Sequence, residues 1–218
     1  MFRFIARIHF SILLAAILLL ACAPPILAQN DADPTTAVKT VIDQATAILK
    51  NKQVDETERQ RQLRELVEGH FDFEGMARSA LGYHWRDLTP DQRREFVPLF
   101  TSFIEDAYLS RMKEYTVEKI QQDLKSSNVQ FTKQVIDGTD ATVYSTVKLQ
   151  DRPNPVEADY KMSKDTGQWK IYDINIDAIS VIANYRNQFN RVINNEGYDK
   201  LVSILKQKQQ ALSKSLNQ

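Results

Sequence analysis

The chain has 218 residues, 28 basic and 28 acidic side chains, no formal net charge, 43% apolar residues and a single cysteine. That balance argues against nucleic acid as a partner, since phosphate binding shows as a basic excess. With one cysteine, no internal disulfide can form, so the fold must be held by its apolar core.

The first 28 residues read as an export signal rather than as fold. Arg3, Arg7 and His9 precede the uncharged run "SILLAAILLLACA", which is too short for a convincing membrane span. Two processing readings stand side by side: cleavage after Ala28, at "ILAQ", and a lipoprotein signal at "LLAC" that would retain Cys22. Pro24 and Pro25 break the apolar run and favour the first, which leaves an exported chain without cysteine and with about two net negative charges.

Residues 29–218 are expected to form one domain, with a helical part over about 35–115, a sheet over about 116–177 and C-terminal helices over about 178–216. Asn30 to Thr36 reads as a polar leader. In "TTAVKTVIDQATAILKN", Val38, Val41, Ile42, Ala45, Ile48 and Leu49 recur at helical spacing. A charged second helix follows in "DETERQRQLRELVEGHF", its buried side marked by Leu63, Leu66 and Val67. "FDFEGMARSALG" gives a short third helix with Asp72 as N-cap and Gly82 as a left-handed stop.

The next stretch, "TPDQRREFVPLFTSFIEDAYLSRM", opens on a capping box of Thr89 and Gln92, with Pro90 and Asp91 in the first turn. Phe96, Leu99, Phe100, Phe103, Ile104, Ala107, Tyr108 and Met112 form its apolar band. Pro98 lies inside it and is expected to kink or divide the helix.

After Tyr115 the period becomes alternating. Five strands are expected, in "TVEKIQQDL", "NVQFTKQVI", "ATVYSTVKL", "PVEADYKMSK" and "QWKIYDINI", with turns at Asp137-Gly138, Pro153 to Pro155 and "KDTGQ". Short links imply an antiparallel meander. Helical spacing returns in "VIANYRNQFNRVI" and "YDKLVSILKQKQQAL", broken at Gly197, so the class is α+β.

Catalytic and metal motifs are sparse. Asp173 and Asp177 fall on one parity of the last strand, but four residues at 3.3 Å each separate them by roughly 13 Å, beyond the reach of an acid and base couple. They read as solvated or turn residues. His70 and His84 lack established metal spacing, no G-x-S-x-G elbow is present, and six glycines form no phosphate loop. Neither a metal, nor a cofactor, nor an enzyme activity is therefore expected. The group His84, Trp85 and Arg86 has two readings: Arg86 binds an anionic head group, or Trp85 plugs a helix corner while Arg86 makes a salt bridge.

Two long stretches, "FDFEGMARSALGYHWRDLTPDQRREFVPLFTSFIEDAYLSRM" and "WKIYDINIDAISVIANYRNQFNRVINNEGYDKLVSILKQK", resemble the periplasmic phospholipid-binding MlaC family. That family is also described as toluene-tolerance auxiliary proteins and includes the hopanoid-associated branch HpnM. The resemblance runs from about Thr36 to Lys208 and rests on "FDF", "MAR", "LG" before "WR", "TPDQ" before a Phe-rich helix, and "WKIYDI" leading to "SVIANYRNQF". The chain departs from the family pattern at Pro98 and at Ala178, where glycine is common.

The resemblance implies a curved NTF2-like sheet with a helical subdomain around an apolar cavity. It also implies lipid shuttling between outer and inner membranes that maintains outer-membrane asymmetry. The implied partners are an inner-membrane ABC transporter complex with its substrate-binding ring component, and an outer-membrane lipoprotein–porin complex. Shielding two acyl chains of about 30 methylenes, at about 0.8 kcal/mol each, is worth on the order of 25 kcal/mol. Binding is therefore expected on apolar walls: Phe100, Phe103, Ile104 and Tyr108 from the helix, and Val143, Val147, Tyr160, Met162, Tyr172, Ile174 and Ile176 from the sheet. Ordinary core packing predicts the same residues. A hopanoid makes the same demand as a glycerophospholipid. Two other readings remain at this point: an NTF2-like enzyme on a small apolar substrate, and an assembly factor for which the cavity is secondary.

Overall fold

The computed structural model describes residues 33–113, 128–148, 153–164 and 167–216. The signal segment and the strand expected at "TVEKIQQDL" lie outside the described residues. The chain divides into two compact units, Met1–Asp72 with Thr116–Ala178, and Phe73–Tyr115 with Ile179–Gln218.

The first unit contains helices α1 (Pro34–Lys50) and α2 (Glu56–His70) and strands β1 (Asn128–Asp137), β2 (Asp140–Lys148), β3 (Val156–Ser163) and β4 (Lys170–Ile176). Helix α1 starts two residues before Thr36, inside the expected leader. Pro34 occupies the first turn, where no backbone donor is needed, and the Asp33 carboxylate accepts from the backbone N–H groups of Thr35 and Thr36. These bonds, with the Thr36 hydroxyl first among them, hold the Asp33 carboxyl below its usual range. In α2 the charged residue Arg59 is buried because its guanidinium has work there. It donates to the carbonyls of Asn51 at 3.0 Å and Val54 at 3.3 Å and pairs with Glu56, closing the α1–α2 turn.

The strands pair antiparallel in sequence order, β1-β2-β3-β4, as the short links required. Register is interrupted twice. Phe131 pairs with Ser145 but Lys133 with Tyr144, leaving Thr132 as an extra residue; Lys161 pairs with Asp173 but Met162 with Ile171, leaving Tyr172 extra. Each bulge bends its strand and reverses the parity of the residues beyond it. Helix α1 is tied to the sheet at Gln134, whose side-chain oxygen accepts from the Thr35 backbone N–H at 3.1 Å and the Thr35 hydroxyl at 2.7 Å. Past α2, Phe71 bridges Ile171 and the Asp72 N–H donates to the Ile171 carbonyl at 2.9 Å, so the helix end is pinned to β4 at its bulge.

The second unit contains α3 (Phe73–Leu81), α4 (His84–Asp87), α5 (Pro90–Lys113), the two-residue strand β5 (Ile179–Ser180), then α6 (Val181–Glu196) and α7 (Tyr198–Leu216). The capping box forms as read: the Thr89 N–H donates to Gln92 Oε1 at 2.9 Å, and the Gln92 N–H to Thr89 Oγ1 at 3.2 Å. Pro98 does not divide α5, which runs 24 residues through it. Pro98 lies well inside the helix, where it forfeits one backbone hydrogen bond, and its side chain is exposed. Phe96, Phe100 and Phe103 meet Tyr185 and Phe189 of α6 edge-to-face at centroid separations of 5.9–6.3 Å. Helix α7 is fastened to α5 by Lys206–Glu95 at 2.7 Å, by Gln209 donating to Asp106 at 3.0 Å, and by the Tyr198 hydroxyl donating to the Gln92 carbonyl at 3.2 Å.

Candidate lipid-binding surfaces

Paired residues of an antiparallel sheet point to the same side, so the register defines two faces. One carries Val129, Ala141, Val143, Val147, Val156, Ala158, Tyr160, Met162, Ile171, Ile174 and Ile176, all buried, and, on β1, Phe131, Gln134 and Ile136, of which the last two are exposed. Its polar residues are Gln134, at the α1 contact, and Ser145. Ser145 is buried and donates to the Ala158 carbonyl at 2.8 Å. Burial of the Tyr160 hydroxyl pushes its pKa up, against an opposing hydrogen bond with Ser145. A wall of this kind excludes water and suits apolar contact.

Six of the seven expected sheet residues share this face: Val143, Val147, Tyr160, Met162, Ile174 and Ile176. Tyr172 does not share its register. The simple alternation expected for β4 breaks at the bulge, and Ile171 takes the place opposite Met162. Tyr172 is half-buried instead, its hydroxyl pKa raised by burial and then by the Asp140 and Asp173 carboxylates.

The opposite face is polar, but it is not uniformly solvated. Lys133 lies 4.3 Å over the Tyr144 ring. Asp173, expected in solvent, is only 7% exposed and stands 3.4 Å from Lys161, because the bulge registers it opposite that lysine. Burial and then Glu157 raise the Asp159 pKa, while Lys133 and Lys161 oppose the rise. Asp177 behaves as a turn residue: its carboxylate accepts from the Glu157 N–H at 3.2 Å and its own N–H donates to the Glu157 carbonyl at 2.9 Å.

In the second unit, the expected helix residues Phe100, Phe103 and Ile104 are buried and Tyr108 is half-buried. Phe100 and Phe103 belong to the aromatic cluster with Tyr185 and Phe189, two residues that the sequence reading placed on a helix without assigning them to a wall. Arg86 is exposed on α4. Trp85 is half-buried with the Arg93 guanidinium 5.2 Å from its ring centroid, so Arg93 rather than Arg86 supports the corner. Among the described residues, no cluster of three or more His, Cys, Asp or Glu side chains has metal-binding geometry, and no helix is long and apolar enough to cross a membrane.

Known proteins resemble this chain over most of its length. The solved structure of a phospholipid-binding protein from Ralstonia solanacearum, in complex with a phospholipid, superimposes with a TM-score of 0.66 and 26% sequence identity. It covers 84% of this chain and 99% of that one. The intermembrane phospholipid transport system binding protein MlaC of Haemophilus influenzae is 22% identical over 129 residues, 58% of this chain; the chain spans 57% of that relative's length. A family model described as MlaC protein matches residues 39–207, which takes in the whole described sheet, and this chain belongs to the MlaC family.

Proposed function

We propose that this protein is a phospholipid carrier that is exported to the periplasm, holds acyl chains against buried apolar surfaces and shuttles lipid between the outer and inner membranes. The observation that carries the reading is the likeness to the Ralstonia solanacearum protein, whose structure holds a phospholipid. Family membership and the largely apolar sheet face support it. In the first unit the apolar wall is Val143, Val147, Tyr160, Met162, Ile174 and Ile176 with Ile171 added; in the second unit Phe100, Phe103, Ile104 and Tyr108 of α5 form an apolar surface of their own. Signal cleavage after Ala28 leaves residues 29–218 as the mature lipid-binding domain. Its partners are a transporter complex of the inner membrane and a lipoprotein–porin complex of the outer membrane.

The test is direct. Protein purified from an exporting host is expected to carry phospholipid detectable by native mass spectrometry, and delipidated protein to take up lipid from vesicles. Preparations that are lipid-free and also refuse lipid from vesicles would overturn the reading.

A further inference from the structure

The corner between α3 and α5 holds more hydrogen-bond donors than its own fold uses. Gly82, at φ 58°, turns the chain out of α3, and the Tyr83 ring then lies tilted against His84 with centroids 4.0 Å apart. Arg93, from the first turn of α5, reaches back over this corner. Its guanidinium lies on Trp85, and one terminal N–H donates to the Arg86 carbonyl at 3.4 Å, a weak bond. The Arg93 Nε is nevertheless buried without a hydrogen-bond partner, and so is His84 Nε2. The Arg86 side chain is exposed at the same corner. Two carboxylates that follow are engaged elsewhere, Asp91 with Arg94 and Glu95 with Lys206.

A guanidinium held by an aromatic face presents its remaining N–H groups as a fixed fork, the geometry that matches a phosphate. A buried donor without an acceptor is costly, and an incoming anion removes that cost. We propose that His84, Arg86 and Arg93 form a phosphate-binding site at the α3–α5 corner. Arg93 is its oriented fork, Arg86 its exposed positive charge and His84 a second buried donor. The ligand chemistry is a phosphate oxyanion. Its source, taken as the phosphodiester of a phospholipid head group, rests on the lipid-carrier reading.

Trp85 reports on the site, because Trp169→Phe leaves it as the only tryptophan of the chain. In that background, inorganic phosphate is expected to change Trp85 emission saturably. Arg93→Gln should weaken the response about tenfold or more, the loss of one charge-assisted pair. Arg94→Gln, on a neighbouring residue already paired with Asp91, should leave it unchanged. Equal titrations of the Arg93 and Arg94 variants, or no response at all, overturn the proposal. If Arg93→Gln fails to fold by circular dichroism, Arg86→Gln and Arg93→Lys carry the same comparison, both expected to bind more weakly than Arg94→Gln.

Dihexanoyl phosphatidylglycerol and dihexanoylglycerol separate the sources. A head-group site responds to the first with the same Arg93 dependence and not to the second. A response to inorganic phosphate alone keeps the site and removes the head-group assignment. Failure of both diacyl probes to bind, with phosphate still bound, removes the lipid reading and leaves the site standing.

Discussion

Arg186 lies across Gly82. Its side-chain Cδ is 3.2 Å from where a Cβ on that glycine would sit, and its Nε donates to the Ser79 carbonyl at 2.6 Å. One side chain thus satisfies a carbonyl near the C-terminal end of α3 and fills the space that a larger residue would need. Gly82 also has φ 58°, the left-handed region in which an L side chain is strained. Gly82→Ala is expected to destabilise the protein by about 1–3 kcal/mol, from backbone strain plus displacement of a pinned arginine. In a double-mutant cycle with Arg186→Ala, the costs should be less than additive, because the second change removes the obstruction. Additive costs in urea unfolding would show that the crowding contributes nothing.

Ala178 presents the opposite case. The two residues between β4 and β5, Asp177 and Ala178, have φ 47° and 64°, the pattern of a tight hairpin turn that favours glycine at its second position. Aspartate tolerates this region and gains bonds to the backbone of Glu157; alanine gains nothing of the kind. Ala178→Gly should therefore stabilise by about 0.5–1 kcal/mol, the relief of strain less the extra freedom glycine has when unfolded. A fall in the thermal midpoint would contradict this.

These two turns mark where the sequence was legible and where it was not. Gly82 and the Thr89–Gln92 box were readable because each is a local rule carried by a few adjacent residues. Four strands and six helical segments followed from periodicity and caps, and the antiparallel order from the short links. Tyr172 and Asp173 were misplaced because a bulge is a property of two strands at once. The adjacent apolar residues Ile171 and Tyr172 leave the parity of β4 open, and only the pairing with Lys161 and Met162 shows which is the extra residue. Arg93 was overlooked as a site residue for a related reason, since its contact with Trp85 joins two helices across a turn. Likewise, nothing in the spacing of Tyr185 and Phe189 tells which aromatic rings they meet.

Asp43 offers a test by pH. Its carboxyl is partly buried on α1, one oxygen is buried without a hydrogen-bond partner, and burial raises its pKa while Lys39 opposes the rise. A carboxyl whose folded pKa exceeds its unfolded value binds protons more readily when folded, so its ionisation costs stability as pH rises through the folded value. Asp43→Asn should accordingly raise the thermal midpoint at pH 7, by a few degrees at most for a partly exposed group. The gain should shrink as pH falls below the raised pKa, where the wild-type carboxyl is itself neutral. An advantage that is constant from pH 7 to pH 4 would locate the effect in packing rather than charge.

The bulge at Tyr172 separates two adjacent residues by role. Ile171 is 1% exposed on the apolar face, opposite Met162, and its carbonyl also receives the Asp72 N–H. Tyr172 is half-buried beside carboxylates. Ile171→Ala opens a cavity in that wall and should cost about 2–4 kcal/mol, whereas Tyr172→Ala should cost less, since part of its surface is already in water. Ile171→Val, which removes a single methylene, should cost about 1 kcal/mol and leave a folded protein for ligand measurements. If the face is a lipid wall, Ile171→Val should change the amount or acyl composition of co-purified phospholipid, read by mass spectrometry, while Tyr172→Phe leaves both unchanged. The reverse pattern would return Tyr172 to the wall and move the ligand away from the Ile171–Met162 register.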